Sequence, residues 1–444
     1  MHHTADLLIR SRYVLPIEPS GVTLENAALA VLHGRIVGVV QESDIALWRA
    51  TETVSLPNHV LLPGLVNAHG HAAMTLLRGF ADDHPLQDWL ENHIWPAEAA
   101  HVGEEFVRDG TTLAIAEMLL GGTTCFADMY LFPEVVAALC RDHGIRCQLC
   151  SPIIDFPSAW AIGPDEYLSK ALALQDELKS HSLSTVVFGP HSTYSVGPDV
   201  LERIAVYAAE LDMGVQIHVH ETAREVADSV DQFGLRPLER LFDIGLLGPR
   251  TQCVHMAHTD ESDVELLLKS GAGIVHCPES NMKLASGACP TGKLIHLGIP
   301  LGLGTDGAAS NNDLNMFGEM RSAAFLAKHQ WHDAKQLPAV DLLRMATLGS
   351  AQVLGLDEQI GSLEVGKQAD VIALDLSAPH TQPIYNLPSQ IAYACNGGEV
   401  SDVWIAGQQL VRSGVHTRLD LSECLERAAN WAQTISAGTR ASPV

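Results

Sequence analysis

Short apolar runs alternate with amphipathic segments along the middle of the chain. Eight runs, several introduced by glycine, end in polar residues or histidine: "LLPGLVNAHGH", "GGTTCFADMY", "GIRCQLCSPIID", "STVVFGPHSTY", "GVQIHVHE", "TQCVHMAH", "GAGIVHCPES" and "GIPLGLGTDG". Between them, apolar residues recur at helical spacing. Two predicted helix faces are formed by Leu201, Ile204, Ala208 and Leu211, and by Val264, Leu267 and Leu268. The pattern predicts eight consecutive βα units.

The apolar character of these strands predicts a parallel sheet that is covered on both faces. Eight such units favour a closed (β/α)₈ TIM barrel over an open doubly wound sheet. A barrel brings the carboxyl ends of all its strands to one mouth. Five of the eight runs carry histidine at that end, so we expect a polar site at the mouth.

The two ends of the chain have a different pattern. Residues 1–60 contain the alternating run "ALAVLHGRIVGVV", with His33-Gly34 as the predicted turn, and residues 362–444 contain "SLEVGKQADVIALD" and "VSDVWIAGQQLVRSG". We predict that the termini pair into one small β-sandwich, followed by a terminal helix. The barrel is then expected over residues 61–361.

Composition removes several classes of partner. The 444 residues include 27 basic and 53 acidic side chains, and the formal charge of −26 argues against a nucleic-acid ligand. No apolar stretch reaches the length of a membrane span, so no membrane partner is expected and the prediction is a soluble, cytoplasmic protein. Nine scattered cysteines predict reduced thiols, and we interpret the pair Cys147 and Cys150 as buried core residues.

The first run ends in two histidines separated by one glycine. Residues two apart on a strand point the same way, so His69 and His71 can present two imidazoles to one point. Two facing imidazoles suit a metal ion, although such pairs also occur on ordinary protein surfaces. The dipeptide spacing alone leaves both interpretations open.

Other strand ends add ligands of the same chemistry. The fifth run carries His218 and Glu221, with His220 as a rival ligand; the sixth carries His255, followed by His258, and the eighth carries Asp306 in "GTDG". Imidazole and carboxylate groups are common ligands of a catalytic zinc that keeps one position for water. These ends together predict a metal site at the barrel mouth.

These motifs resemble the amidohydrolase superfamily in its mononuclear-zinc deaminase branch. The similarity covers nearly the whole chain, including "GRIVGV" and "GSLEVGKQADVIALD" near the termini. Within the branch, "PHSTYSV", "HCPESNMKLASG" and "LGTDGAASNNDLNMFGEM" are most similar to the 5′-methylthioadenosine/S-adenosylhomocysteine deaminases. The resemblance implies a metal-dependent hydrolase that deaminates 5′-methylthioadenosine, S-adenosylhomocysteine or adenosine to the inosine analogue and ammonia. It also implies a homodimer or higher homo-oligomer.

The resemblance also implies roles for individual residues. The metal ligands would be His69, His71, His218 and Asp306. Relatives that bind two metal ions carry a metal-bridging lysine at the end of the fourth strand. This chain has no lysine there, so one Zn²⁺ is expected. Fe²⁺ or Mn²⁺ would suit the same ligands. The substrate would be contacted by Glu98, at the position that binds the ribose hydroxyls, and by His191. Glu221 and Asp306 would contact it as well.

By this resemblance, bound zinc would lower the pKa of a water molecule, which would then add to carbon 6 of the adenine ring. We predict that Glu221 is the general acid for the ring nitrogen, that Asp306 accepts the proton of the water, and that His255 orients the water.

One departure concerns an arginine that related deaminases carry after the third strand. This chain has Ser151 near that place, while Arg141 and Arg146 precede the strand end.

Several alternatives remain at this stage. The same frame serves deaminases of adenosine only, guanine or cytosine, and hydrolases of s-triazine rings; a non-catalytic scaffold is the alternative of a different class. Glu98 favours a nucleoside over a free base. Phe80, Trp89 and Trp95 either cap the purine or pack their segment onto the barrel, and His276 is either a cavity residue or a buried structural histidine.

Overall fold

The computed structural model describes residues 3–440, with side chains as far as residue 437. Its strands are β1 His3–Val14, β2 Leu24–Leu32, β3 Arg35–Val40, β4 Trp48–Pro63, β5 Leu65–Asn67, β6 Thr123–Asp128, β7 Arg146–Ile153, β8 Ser184–Pro190, β9 Val215–Val219, β10 Thr251–His255, β11 Gly273–His276, β12 Leu301–Leu303, β13 Val371–Asp375, β14 Val400–Ile405, β15 Gln408–Arg412 and β16 Val415–His416.

The helices lie mostly between the strands of the central region. They are α1 Leu86–Trp89, α2 Trp95–His101, α3 Glu104–Leu120, α4 Pro133–His143, α5 Pro164–Leu178, α6 Pro198–Leu211, α7 Ala223–Phe233, α8 Pro237–Asp243, α9 Glu261–Ser270, α10 Pro278–Lys283, α11 Thr291–His296, α12 Ala308–Asn311, α13 Met316–Trp331, α14 Ala339–Arg344, α15 Ser350–Val353, α16 Leu387–Ala394 and α17 Leu421–Arg440. Short 3₁₀ segments span Glu42–Leu47, Ala72–Leu77 and Pro379–Thr381, and π-helical turns span Leu90–Ile94 and Met345–Gly349.

Strands β5 to β12 form a parallel sheet in which chain order and spatial order coincide. The first and last strands meet, because the Ala68 amide donates to the Leu303 carbonyl at 2.8 Å and the Asp306 amide donates to the His69 carbonyl at 3.1 Å. These contacts close the sheet. The predicted (β/α)₈ barrel is therefore confirmed.

The two helices predicted from apolar spacing are present as α6 and α9. Leu201, Ile204 and Leu267 are buried, whereas Leu211 and Leu268 are 48% and 50% exposed. Leu268 follows the buried Leu267 by about 100° around the helix and therefore faces solvent. Leu211 is the last residue of α6.

The termini form a second eight-stranded sheet, in the order β16-β15-β14-β13-β4-β1-β2-β3. The sheet folds over itself: a bridge joins Arg35 to Gln368, and side chains from both halves, such as Leu29 and Trp404, share one apolar core. The predicted sandwich from both chain ends is confirmed, and the His33-Gly34 turn joins β2 to β3. Residues 1, 2 and 441–444 of the predicted terminal parts lie outside the described residues.

The passage from one sheet to the other occurs within the first apolar run. Strand β4 continues to Pro63 and pairs with β13, so Leu61 and Leu62 belong to the terminal sheet and not to the barrel. At Gly64, any Cβ atom would come within 2.0 Å of the Thr124 hydroxyl oxygen. The absence of a side chain lets the chain cross from one sheet to the other at this point.

Strand β7 carries the two cysteines with C-x-x-C spacing. Both thiols are buried and free, and burial raises the pKa of each well above its usual range. Their predicted role as core residues is confirmed.

None of the helices between residues 3 and 440 combines the length and the apolar content that crossing a bilayer requires.

Candidate active site

The two histidines after β5 are held at the point where the barrel closes. Asn67 fixes this turn, since its side-chain amide donates to the Thr305 hydroxyl at 2.7 Å and accepts from the Thr305 backbone amide at 3.0 Å. The chain then enters a 3₁₀ segment directly after His71. The two imidazole rings consequently meet edge to face, with centroids 4.8 Å apart and an interplanar angle of 89°.

Four side chains from three places in the barrel converge on one point. His218 Nε2 lies 3.1 Å from His69 Nε2, and Asp306 Oδ1 lies 3.1 Å from His71 Nε2 and 3.5 Å from His69 Nε2. The four potential ligand atoms lie within 4.8 Å of one another. Two ligands bound tetrahedrally to zinc at its usual distances are separated by about 3.4 Å, so the spacing fits one ion.

The opposite nitrogen of each histidine is held by an oxygen acceptor. Nδ1 of His71 donates to the Met129 carbonyl at 2.6 Å, and Nδ1 of His218 donates to the His191 carbonyl at 2.6 Å. Nδ1 of His69 donates to Gln216 Oε1 at 2.7 Å. Such partners fix the tautomer and orientation of metal-binding histidines, and here they direct all three Nε2 lone pairs towards the shared point.

Gln216 is itself oriented by a chain of buried glutamines. Its side-chain nitrogen donates to the Ala68 carbonyl at 3.0 Å and to Gln252 Oε1 at 2.7 Å. Gln252 donates in turn to Gln148 at 2.7 Å, and Gln148 donates to the Leu354 carbonyl at 2.9 Å. These bonds leave the Gln216 oxygen, and not its nitrogen, to face His69.

Asp306 supplies the negative charge of the cluster. Its Oδ2 accepts from the Ser280 hydroxyl at 2.6 Å and the Ser310 hydroxyl at 2.9 Å, which leaves Oδ1 for the histidines. Burial by itself would raise the pKa of Asp306, but hydrogen bonds and charge interactions with His69 and His71 hold it well below its usual range. Burial likewise opposes protonation of His71, yet Asp306 raises the pKa of that imidazole to about 9.

These contacts support a cation site. When Nδ1 carries the proton, the Nε2 atoms of His69 and His218 face each other through lone pairs at 3.1 Å, an arrangement that a shared cation stabilises. The carboxylate of Asp306 completes the neutral-imidazole and anionic-oxygen ligand set that zinc and related ions accept. The residues present therefore fit one divalent metal ion.

Glu221 and His255 lie beside this cluster, after strands β9 and β10. The Glu221 carboxyl is buried; burial raises its pKa to about 8, with a further contribution from the charge of Asp306 and an opposing one from His71. His255 donates from Nδ1 to Asn281 Oδ1 at 2.9 Å, and its Nε2 lies 3.8 Å from Glu221 Oε2. A buried proton donor and a second imidazole thus border the cation site.

A cavity of about 440 Å³ opens above the cluster and is lined by Glu98 and His191 together with the predicted metal and catalytic side chains except for His69. Glu98, on α2, accepts from the Tyr130 hydroxyl at 2.6 Å, and burial raises its pKa. His191 Nδ1 lies 3.0 Å from the Ser195 hydroxyl, and burial lowers the pKa of its imidazole to about 4. A carboxylate and a neutral imidazole therefore face the cavity.

The outer part of the cavity is apolar. It is lined by Leu86, Trp89, Leu90, Ile94, Trp95, Leu131, Ile154, Phe156 and Pro157. Trp89 and Trp95 contribute to this wall, whereas Phe80 packs against the barrel core. No lysine or arginine is found among the described residues that line the cavity.

The arginines near β7 lie elsewhere. Arg146 binds Asp370 through Nε at 2.9 Å in a buried pair, and Arg141 is paired with its neighbour Asp142. Ser151 is buried on β7. None of the three lines the cavity.

Other histidines near the strand ends point away from the cluster. His220 Nε2 accepts from the Leu238 amide at 3.2 Å, and His258 Nε2 lies 2.5 Å from the Ser286 carbonyl. His276 is buried on β11 and does not line the cavity; burial lowers the pKa of its imidazole to about 3. These three are structural residues in this fold.

Sequence reasoning missed the polar residues that orient the cluster. Gln216 lies two residues before His218 on β9 and points to the same face, so the strand pattern could have suggested it. Ser280 and Asn281 lie at the start of α10, directly after β11. Within the "HCPESN" motif, Ser280 hydrogen-bonds Asp306 and Asn281 hydrogen-bonds His255. No spacing rule connects these residues in the sequence.

The closed barrel and its buried histidine-carboxylate cluster define a metal-dependent hydrolase of the (β/α)₈ class. The model of the amidohydrolase family matches residues 60–410. The chain belongs to the amidohydrolase family.

Named relatives share nearly the full length of the chain. The 5-methylthioadenosine/S-adenosylhomocysteine deaminase of Teredinibacter turnerae is 51% identical over 98% of each chain. An adenosine deaminase from Xanthomonas campestris, solved with bound zinc, is 49% identical, with a TM-score of 0.97 and coverage of 98% of this chain and 100% of that one. Atrazine chlorohydrolase from Arthrobacter aurescens, complexed with zinc, is 25% identical, with a TM-score of 0.89 and coverage of 96% and 100%.

Proposed function

We propose that this protein is a zinc-dependent deaminase that converts 5′-methylthioadenosine and water into 5′-methylthioinosine and ammonia. The proposal is carried by one observation: three imidazoles and one carboxylate converge at the base of a cavity whose wall presents Glu98. The names of the relatives from Teredinibacter turnerae and Xanthomonas campestris agree with this chemistry.

His69, His71, His218 and Asp306 would hold the ion. Zinc bound there would lower the pKa of a water molecule and polarise it for addition to the purine. Asp306 is ionised, because its histidine contacts hold its pKa well below the usual range. It can therefore accept a proton from the water and return it later to the leaving ammonia.

Glu221 is suited to the opposite task. Its pKa of about 8, raised first by burial, keeps the carboxyl protonated at neutral pH. Glu221 can then donate its proton to the ring nitrogen as carbon 6 becomes tetrahedral. His255, 3.8 Å from Glu221, lines the same cavity and would orient the water.

The cavity wall favours a nucleoside. Glu98 is half-buried and fixed by Tyr130, which leaves its second oxygen available to accept hydrogen bonds from two ribose hydroxyls. A free base offers no such donors. His191 lies on the same cavity wall and supplies a neutral imidazole for a further substrate contact.

The apolar outer wall favours the methylthio tail over the charged tail of S-adenosylhomocysteine. The side chains of Leu86, Trp95 and Phe156 can cover a methyl thioether, while the amino-acid carboxylate would find no cationic partner on the cavity wall. A hydrogen bond to a charged group contributes about 1.5–3 kcal/mol. We therefore expect kcat/KM for 5′-methylthioadenosine to exceed that for S-adenosylhomocysteine by about 10- to 150-fold.

The test is ammonia release by zinc-loaded protein offered 5′-methylthioadenosine, S-adenosylhomocysteine, adenosine, guanine and cytosine. We expect the nucleosides to react, with 5′-methylthioadenosine the best substrate. The Glu98→Gln variant, which keeps the shape but loses the charge, should raise KM for the nucleosides. Reaction with a free base alone would contradict the proposed substrate. Equal kcat/KM for 5′-methylthioadenosine and S-adenosylhomocysteine would contradict it as well.

We also propose a cytoplasmic location and a homodimer. The buried, free state of the nine cysteines agrees with a reducing compartment. The oligomeric state rests on the family resemblance and is tested by sedimentation velocity on the full chain; a single species with the mass of one chain would exclude the dimer.

A further inference from the structure

A second cluster of metal-binding side chains lies on the segment that forms one wall of the cavity. His84 Nδ1 lies 2.8 Å from Asp88 Oδ2, and His93 Nε2 lies 4.0 Å from the same oxygen. One potential ligand atom from each residue lies within 4.8 Å of the others. The three side chains are 36%, 45% and 34% exposed, so ions in solution can reach them.

The local backbone brings these residues together. Five residues separate Asp88 from His93, a spacing that would place them about 140° apart on a regular α-helix. The π-helical turn Leu90–Ile94, which contains His93, directly follows α1, which contains Asp88, and interrupts the regular α-helical spacing between the two residues. His84 stands two residues before Leu86, the first residue of α1, and contacts Asp88 four residues further along.

The opposite face of the same segment is part of the cavity. Leu86, Leu90 and Ile94 line the cavity wall, while the cluster faces solvent. An ion bound to the cluster would tie the loop at His84 to both the α-helical and the π-helical turns. It would thereby stiffen the wall that contacts the substrate.

The ligand set is already partly ordered. Asn92 donates to Asp88 Oδ1 at 2.8 Å, which leaves Oδ2 directed at the two imidazoles. The two ring centroids lie 4.1 Å apart. The distances of 2.8 and 4.0 Å to Oδ2 bracket the separation of about 3.4 Å expected for two ligands on one tetrahedral zinc.

We propose that His84, Asp88 and His93 form a second binding site for a divalent transition-metal ion of the Zn²⁺ type, with water in the remaining positions. Two imidazoles and one carboxylate are ligands that such ions accept. The formal charge of −26 favours cation binding over the whole surface. Because the cluster is half-exposed, we expect weaker binding here than at the buried site, so that the two ions are released in sequence.

The experiment counts bound metal in protein loaded with one equivalent of zinc at the buried site. Equilibrium dialysis against buffered free Zn²⁺ should show a second equivalent, and the His84→Gln/His93→Gln variant should lose it while keeping the first. His101→Gln, which alters a nearby histidine outside the cluster, is the matched control and should bind two. Asp88→Asn provides a second test should the double variant fail to fold.

Hydrogen exchange locates the ion. At a free Zn²⁺ concentration ten times the dissociation constant, amides of residues 84–94 should exchange about tenfold more slowly in the parent protein and unchanged in the double variant. One bound equivalent at all concentrations would mean that the cluster is only an ion pair between His84 and Asp88. A second equivalent that survives in the double variant, or protection confined to another segment, would also overturn the proposal.

Discussion

Single hydrogen bonds decide what each histidine of the buried cluster can do. The imidazoles of His69, His71 and His218 are chemically alike, and each presents Nε2 to the shared point of the cluster because an oxygen holds its Nδ1 proton. Two of those oxygens belong to the backbone, at Met129 and His191. Only His69 depends on a side chain, that of Gln216, which makes its orientation the most sensitive to substitution.

Replacing Gln216 with methionine tests this dependence. Met keeps the length of the side chain but removes the acceptor, so we expect metal affinity to fall about 10- to 100-fold. Competition with a chelator of known affinity measures the change. Gln148→Met, two glutamines further along the same buried chain, is the control and should alter metal affinity much less; an equal loss in both variants would contradict a specific effect on His69.

Replacing Glu221 with glutamine separates proton transfer from metal binding. Glutamine has the same shape but no transferable acidic proton, so kcat should fall about 10²- to 10⁴-fold. Metal content should stay at the parental value, because Glu221 is not one of the four converging ligands. Ammonia release and elemental analysis of the same preparation decide the matter, and a variant that retains at least a tenth of the activity would remove Glu221 from its proposed role.

The sequence predicted individual site residues where their position at the end of a strand was enough to place them in the site. His69, His71, His218, Glu221, His255 and Asp306 all follow strands of one barrel, so counting strands placed them at one mouth. Ser280, Ser310 and Asn281 could not be found in this way. They reach the cluster from short helices after β11 and β12, and their contacts depend on how those helices pack.

Elements of this fold meet closely where glycine allows it. Helix α3 packs on the 3₁₀ segment that follows His71, and a Cβ atom at Gly110 would lie 2.4 Å from the Ala73 carbonyl oxygen. This close approach positions the start of the segment that directly follows the proposed metal ligand His71. The sequence predicts neither the segment nor the contact, because Gly110 looks like an ordinary interruption of a helix.

The Gly110→Ala variant tests the contact at this scale. Alanine is favoured over glycine within a helix by about 1 kcal/mol, but the steric clash should outweigh this gain and lower stability by about 1–3 kcal/mol. The midpoint of urea denaturation at fixed metal content provides the measurement. Thr112→Ala, on the same helix, is the control; higher stability of Gly110→Ala would show that the space between the two elements is larger than described.

The two sheets of the whole molecule are joined by a buried ion pair. Arg146, the first residue of β7 in the barrel, binds Asp370, which precedes β13 in the terminal sheet, with distances of 2.9 and 3.2 Å. Asp370 also accepts from the Ala406 amide at 2.8 Å. The pair lies at the amino end of β7, opposite the barrel mouth that carries the cavity.

The Asp370→Ala variant should therefore affect stability and not the chemistry. Removing one partner leaves Arg146 charged and buried, at a cost of about 3–5 kcal/mol. The kcat of the folded fraction should remain within about twofold of the parent, since neither Arg146 nor Asp370 lines the cavity. Asp165→Ala breaks the exposed pair with Arg203 and should cost less than about 1 kcal/mol; similar losses in the two variants would mean that the buried pair does not join the sheets.

The sequence by itself determined the order of the strands, the closed barrel, the pairing of the two chain ends and the set of candidate ligands. These follow from periodicity and from the rule that parallel strands end at one edge, both of which are local properties of the chain. Only the tertiary structure decided the crossing at Gly64, the orientation of His69 by Gln216 and the apolar, cation-free outer cavity. Each depends on the packing of residues that are distant in sequence, whose separation no local pattern encodes.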